Sequence, residues 1–371
     1  MHIYISEWLR KYPEVYESLC TAFEKSGVNW HFLDHTAEVW ARDYMPLHLN
    51  DGKYVAFNFC PDYLSDNKGK YVTCQDFVIR NMNIDLVARL DIKLDGGNVV
   101  RCGDKTIMTD KIISENPNIR PLKLIDTIEK TMNTELILIP WDMEEPFGHA
   151  DGMVAYIGDG KLLMNNYGQM GEETKPFRLR LHKILDCHFD VMELSYSGRL
   201  RKDAWCYLNY VETPKTVIIP GLSKDLGCDN DRSAVKVFSN LFPDKEIVQV
   251  YAAPLVRHGG ALHCVTWELF TNKYKCKALR QLMLRQPTTN ARRCALLAWW
   301  VDSGYHNLDI IAARCGYEIK NHTMPWLMQR RVRLLRWKYC NKKFTYRGLY
   351  VSNYKIFNWL SEKVVKAIEG F

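Results

Sequence analysis

Six polar residues that stand out within or at the ends of apolar stretches in the first 270 recur at a nearly fixed step: Asp43, Asp95, His149 with Asp151, Asn209 and Cys264. The steps are 52, 54, 60 and 55 residues. A thiol, an imidazole and carboxylates brought to one point would supply a nucleophile, a proton carrier and anionic partners for a cation. The same donors also ligate zinc, yet no pair among them has the local H-x-x-x-H or C-x-x-C spacing that preorganises such a site, and no metal is expected. Singly, each residue has an ordinary reading. A cysteine in an apolar strand is most often packing, an Asp before Gly-Gly a turn, and a histidine a satisfied structural residue. Read as strands, the segments place His149 and Asp151 on one face and His263 and Cys264 on opposite faces. That alternation makes His149, not His263, the expected base for Cys264.

The elements that would position these residues read as α/β. "HIYIS", "NWHFL", "YVAFNF", "IKLDGGNVV", "TIMTD", "LILIP", "MVAYI", "KLLMNN", "TVIIP" and "EIVQVYA" have strand character. Between them "EWLRKYPEVYESLCTAFEKSG", "LIDTIEKTMN", "FRLRLHKILDCHF" and "DRSAVKVFSNLF" have helical spacing, with Gly27 and Pro243 as stop signals. A ring of about five supersecondary units, each aiming one residue at a shared centre, would produce the step near 55; coincidence is the competing account.

Taken in order, the motifs "WARD" (40–43), "LDGGN" (94–98), "GHADG" (148–152), "YLNY" (207–210) and "GGALHC" (259–264) resemble the guanidino-group-modifying enzymes of the pentein fold, in particular agmatine deiminases and bacterial peptidyl-arginine deiminases. The resemblance covers roughly residues 1–270 and implies a five-bladed α/β propeller with the active site on its axis. It implies that Cys264 is the nucleophile, that Asp43 and Asp151 bind the guanidinium, and that His149 moves protons. Asp95, where agmatine deiminases usually carry Glu, would support the histidine, while Asn209 and Trp40 would line or support the pocket. A planar, forked, permanently charged guanidinium does call for carboxylates opposite its N–H groups. Met45 stands where the family commonly has Gly, and a second Asn after Asn209 is missing, so the substrate stays open among agmatine, arginine and peptidyl-arginine. The expected activity is hydrolytic deimination through a Cys-thiouronium. The alternatives are an amidinotransferase of the same fold and a guanidine-sensing, nucleic-acid-binding regulator.

Bulk properties bound these readings. A chain of 371 residues, 47% hydrophobic and 25% charged, suits two folded domains. The twelve cysteines lack paired spacing, which fits reduced thiols, and no apolar run reaches a membrane span; a cytoplasmic protein without membrane partners is expected. Charge is split. Residues 1–270, the expected catalytic domain, carry 30 Lys and Arg against 38 Asp and Glu; residues 271–371 carry 20 against 5. In that basic part, "NARRCALLAWWVDSG", "NLDIIAARCGYE" and "TMPWLMQRRVRLLRW" read as three helices, followed by a hairpin turning at Asn341–Lys343 and a final helix. The pattern is similar to a winged helix-turn-helix, a small mainly helical domain, with Gln329, Arg330, Arg331, Arg333, Lys342, Lys343 and Arg347 as candidate nucleic-acid contacts. A dimerisation or lid domain is the competing account, and an oligomer stays open.

Overall fold

A computed structural model describes residues 1–269 apart from 50–52, 68–70, 81, 83, 85 and 143–146; the side chains of 65–67 are also left aside. The chain divides into two units, Met1–Phe270 and Thr271–Phe371. The helices, hairpin and basic contacts expected beyond residue 270 lie outside the described residues.

Among the described residues, fifteen strands form five three-stranded sheets, and each sheet repeats one plan. The first contains β1 (His2–Ser6) and β2 (Asn29–Leu33); the second β3 (Leu47–His48), β4 (Tyr54–Asn58) and β5 (Leu86–Lys93); the third β6 (Val100–Cys102), β7 (Lys105–Thr109) and β8 (Glu135–Ile139). The fourth is β9 (Val154–Gly158), β10 (Lys161–Met164) and β11 (Asp190–Glu193), and the fifth is β12 (Val211–Glu212), β13 (Thr216–Gly221) and β14 (Glu246–Tyr251). Finally β15 (Thr266–Leu269) returns to pair antiparallel with β1, joining the end of the ring to its beginning. In every sheet one outer strand runs antiparallel to the middle one, and the middle strand runs parallel to the third. A parallel pair needs a crossover, supplied by the helices Pro13–Ser26, Gln75–Ile79, Pro121–Met132, Lys175–Leu185 and Asp229–Leu241.

Sequence explains the units. Middle strands covered on both faces read as apolar runs: Ile3 and Ile5, Val55 to Phe57, Leu162 to Met164 and Val217 to Ile219 are all fully buried. The first helix starts on Pro13, whose missing N–H costs nothing there. It ends where Gly27 takes φ +65°, while the Val28 N–H reaches back to the Phe23 carbonyl. Its buried face carries Val15, Leu19, Ala22 and Phe23; burying Leu19 or Phe23 contributes roughly 1.5–3 kcal/mol each.

The five short strands β3, β6, β9, β12 and β15 meet around one cavity of about 320 Å³, to which they contribute His48, Arg101, Ala155, Glu212 and Glu268 respectively. This arrangement is propeller-like. Each candidate residue lies just before one of those strands: Asp43 before β3, Asp95 before β6, His149 and Asp151 before β9, Asn209 before β12 and Cys264 before β15. The step near 55 is the length of one unit.

The local forms differ from the strand reading. "WARD" is a single helical turn, Ala41–Tyr44, rather than a strand end. "IKLDGGNVV" is broken by the 3-10 turn Gly96–Asn98, and "YLNY" leaves the 3-10 helix Ala204–Leu208 at Asn209. "GGALHC" contains no strand: Gly259 and residues 262–265 are turn, and β15 begins only at Thr266. Paired glycines and close approaches interrupt the strands where side chains must converge.

Candidate active site

Asp43 enters on the short helix after Trp40, whose backbone N–H donates to the Glu38 carboxylate. That helix is stitched to the segment bearing the thiol, because the Arg42 N–H donates to the Cys264 carbonyl at 3.0 Å. Asp43 is buried; its Oδ1 accepts from Gly97 N–H at 3.0 Å and its Oδ2 from the Tyr63 hydroxyl at 2.8 Å. Gly97 admits no larger residue: a Cβ there would lie 2.6 Å from Asp43 Oδ1 and 2.7 Å from His149 Nδ1.

His149 stands between two carboxylates, with Nε2 3.3 Å from Asp95 Oδ2 and Nδ1 3.7 Å from Asp43 Oδ1. Its backbone is held from behind by Asn98, whose Oδ1 accepts from Thr109 N–H, the Thr109 hydroxyl and Ala150 N–H. The Thr109 hydroxyl also donates to the Gly148 carbonyl at 2.6 Å. Neither Asn98 nor Thr109 was among the expected residues, although Asn98 lies within the "LDGGN" motif itself.

Asp151 faces the thiol. Its Oδ2 lies 3.9 Å from Cys264 Sγ, 3.4 Å from Asn209 Nδ2 and 2.7 Å from His263 Nδ1. Asn209 bridges the pair, since its Oδ1 accepts from the Cys264 N–H at 3.2 Å and its carbonyl from the His263 N–H at 3.2 Å. The alternation that turned His263 away from the site therefore fails, because residues 262–265 form a turn in which neighbouring side chains need not point apart. Both His263 and Cys264 meet Asp151, while His149 lies against the other two carboxylates.

Charge follows from burial. Burial pushes the Asp43 carboxyl up, to about 6, with Asp95 and Asp151 adding to the push and His149 and the Tyr63 hydroxyl opposing it. For His149, burial disfavours the cation, but Asp43, Asp95 and Asp151 outweigh it and hold the imidazole up at about 10. Burial also pushes Asp151 up, yet the hydrogen bond and charge of His263, with His149 and Arg42, draw it below its ordinary value. The Cys264 thiol is pushed well above the usual range by burial and then by Asp151 and Asp43. Asp43, Asp95 and Asp151 thus act on one imidazolium, and Asp151 and Asp43 also act on a neutral thiol. The cluster is set to receive a cation, and a cation in it would favour the thiolate.

Trp40 packs against Gly260, where a Cβ would sit 2.3 Å from its ring, and lines a second cavity of about 370 Å³. Trp8, Tyr12, Tyr63, Phe147 and Glu38 also face that cavity. The Tyr63 and Phe147 rings stand 5.1 Å apart and about 6 Å from His149, an aromatic wall that single-residue spacing gave no means of finding. Gly259 makes room for it: at φ +85°, a Cβ would fall 1.9 Å from the Phe147 ring. Among the described residues, no helix is long and apolar enough to cross a membrane.

A family profile described as Porphyromonas-type peptidyl-arginine deiminase matches residues 12–269. A protein of Lactococcus lactis subsp. lactis designated a candidate agmatine deiminase is 28% identical over 214 residues, which is 47% of this chain and 57% of that protein. A second such protein, from Enterococcus faecalis, has 59% of its length matched, so the chain spans under two-thirds of these relatives. Among solved structures, an agmatine deiminase of Enterococcus faecalis superposes with a TM-score of 0.57 at 17% identity, over 72% of this chain and 92% of that one. A substrate-bound agmatine deiminase of C. jejuni gives 0.56 at 17% identity, over 73% and 93%. These superpositions establish a shared pentein fold.

Proposed function

We propose, for a chain that belongs to the Porphyromonas-type peptidyl-arginine deiminase family over residues 12–269, that the buried cluster hydrolyses a guanidino group to a ureido group and ammonia. The observation that carries this reading is a buried cluster in which Cys264 Sγ lies 3.9 Å from Asp151, His149 stands between Asp43 and Asp95, and Asp43 and Asp151 both act on the thiol. Asp43 and Asp151 accept the N–H groups of the guanidinium, and its charge lowers the thiol pKa. The thiolate adds to the central carbon, and the C–N bond of the resulting tetrahedral adduct breaks as His149 gives a proton to the departing ammonia. The S-alkylthiouronium left on Cys264 is then attacked by water. His149 takes one proton from that water, the C–S bond breaks as the proton left on the new hydroxyl passes to solvent, and the ureido product leaves with the thiolate restored. Asp95 holds the ring of His149 through both steps, and Asn209 holds the Cys264 backbone.

Agmatine, arginine and a short peptide ending in arginine are the substrates to compare. The protein incubated with each, followed by mass spectrometry, should show one of them gaining the mass of an O-for-NH exchange, with the gain lost in Cys264→Ala. If no ureido product forms but an added primary amine becomes amidinated, the chain transfers the amidino group instead of hydrolysing it.

A further inference from the structure

We infer that Lys111 is a positioning residue for this site: it clamps the segment carrying Tyr63 to the segment carrying His149, and so fixes the two walls between which the guanidine must enter. The inference rests on the deiminase reading for its kinetic test and on geometry for the rest.

Lys111 opens the helix Lys111–Glu115 and is 2% exposed, an unusual position for an ammonium. Its Nζ donates to the Phe147 carbonyl at 2.6 Å, two residues before His149. It also donates to Asp62 Oδ1 at 3.2 Å, one residue before Tyr63, whose hydroxyl holds Asp43. The third partner is Glu115 Oε1 at 3.5 Å, one turn along the same helix. The stem is held as firmly as the head. It packs on Gly148, where a Cβ would meet Lys111 Cδ at 2.7 Å, and the ammonium lies 5.6 Å from the Trp141 ring centroid.

Around this ammonium, oxygens of Asp62, Asp95 and Glu115 lie within 4.8 Å of one another, a spacing that could hold a metal ion. Lys111 Nζ already pairs with two of the three and serves as their cation; Lys93, 3.8 Å from Glu115, is the next positive group. Asp95 is the carboxylate that contacts His149. One buried charge therefore compensates the acid behind the imidazole and ties together both edges of the aromatic wall. A displacement of about 1 Å in such a wall is enough to cost on the order of 100-fold in rate.

Two measurements test the clamp. In turnover, Lys111→Met, which keeps the stem and removes the charge, should lower kcat/KM by roughly 10- to 100-fold, with Lys111→Arg recovering part of the loss. In the absence of substrate, carbamidomethylation of Cys264 by iodoacetamide, followed peptide by peptide across pH, reports on the site without any turnover. Removing the cation takes the positive charge away from Asp62 and Asp95 and leaves Glu115 with Lys93 alone, so the alkylation midpoint should move to higher pH in Lys111→Met and stay near the wild-type value in Lys111→Arg. Should Lys111→Met fail to fold, Asp62→Asn, which cuts only the half-exposed arm, should lower kcat/KM in the same direction. A folded Lys111→Met with unchanged midpoint and kcat/KM overturns the inference, as does an unaltered Asp62→Asn where Lys111→Met is unfolded. Wild-type protein that turns over none of the guanidines, combined with a displaced alkylation midpoint, sinks the deiminase reading and leaves the clamp standing.

Discussion

At the scale of single residues, the site's acid–base behaviour follows from how far hydrogen bonds and nearby charge offset burial at each carboxyl group. Asp151 is hydrogen-bonded to His263 and drawn below its ordinary value, whereas Asp43, deprived of water, is raised to about 6. A protonated Asp43 cannot pair with a guanidinium, so kcat/KM for the favoured guanidine should fall as pH drops through about 6, with Asp151 still ionised there. In His263→Ala, burial acts on Asp151 without its nearest hydrogen bond, its carboxyl rises, and the acid limb of the pH profile should move up and steepen. A profile flat down to about pH 4 in the wild type, near the ordinary carboxylate range, or unchanged in His263→Ala, would contradict these assignments. His263 also shows the limit of reading residues one at a time. Its type and its place beside Cys264 were visible, but the direction of its side chain depends on whether residues 259–264 are strand or turn.

At the scale of elements, legibility followed packing. The middle strands and four of the five crossover helices were plain in the sequence because continuous apolar runs and 3.6-residue stripes are what burial on two faces and one face require, whereas Gln75–Ile79 is too short to show a stripe. β3 and β12, two residues each, were not, because so short a strand has no period to detect. The approaches "LDGGN" and "GGALHC" were misjudged for one shared reason. Each must turn a polar side chain inward at close quarters, and glycine permits this by removing atoms, a constraint set by residues far away in sequence. Gly97 shows the mechanism, as its neighbours at 2.6 and 2.7 Å come from Asp43 and His149. Gly97→Ala should therefore drive apart the carboxylate and the imidazole. The expected result is a loss of kcat/KM on the order of 100-fold, against a stability change of roughly 1–3 kcal/mol in urea unfolding. Near-normal activity in a folded Gly97→Ala would mean that the approach of these two side chains does not matter to the chemistry.

At the scale of the whole molecule, the opposition of charge between the two parts of the chain calls for its own explanation. Residues 1–270 carry an excess of eight acidic groups, and residues 271–371 an excess of fifteen basic ones. The chemistry assigned to Cys264 needs carboxylates and has no use for a surplus of Arg and Lys, whereas a polyanion does. We therefore propose that the second part binds nucleic acid, chiefly through phosphate. Such binding announces itself by counterion release: the full chain should hold a duplex of about 30 base pairs with log K falling linearly against log salt. Replacing Arg330, Arg331 and Arg333 together by Ala should flatten that slope by about 2.7, close to 0.9 for each phosphate no longer neutralised. Deimination by the same triple variant should continue unchanged, because the groups assigned to that chemistry all lie between Trp40 and Cys264. A slope indifferent to the substitution would remove these arginines from the phosphate-binding set, and affinity insensitive to salt would turn the proposal toward a protein partner, whose interface is not built on condensed counterions.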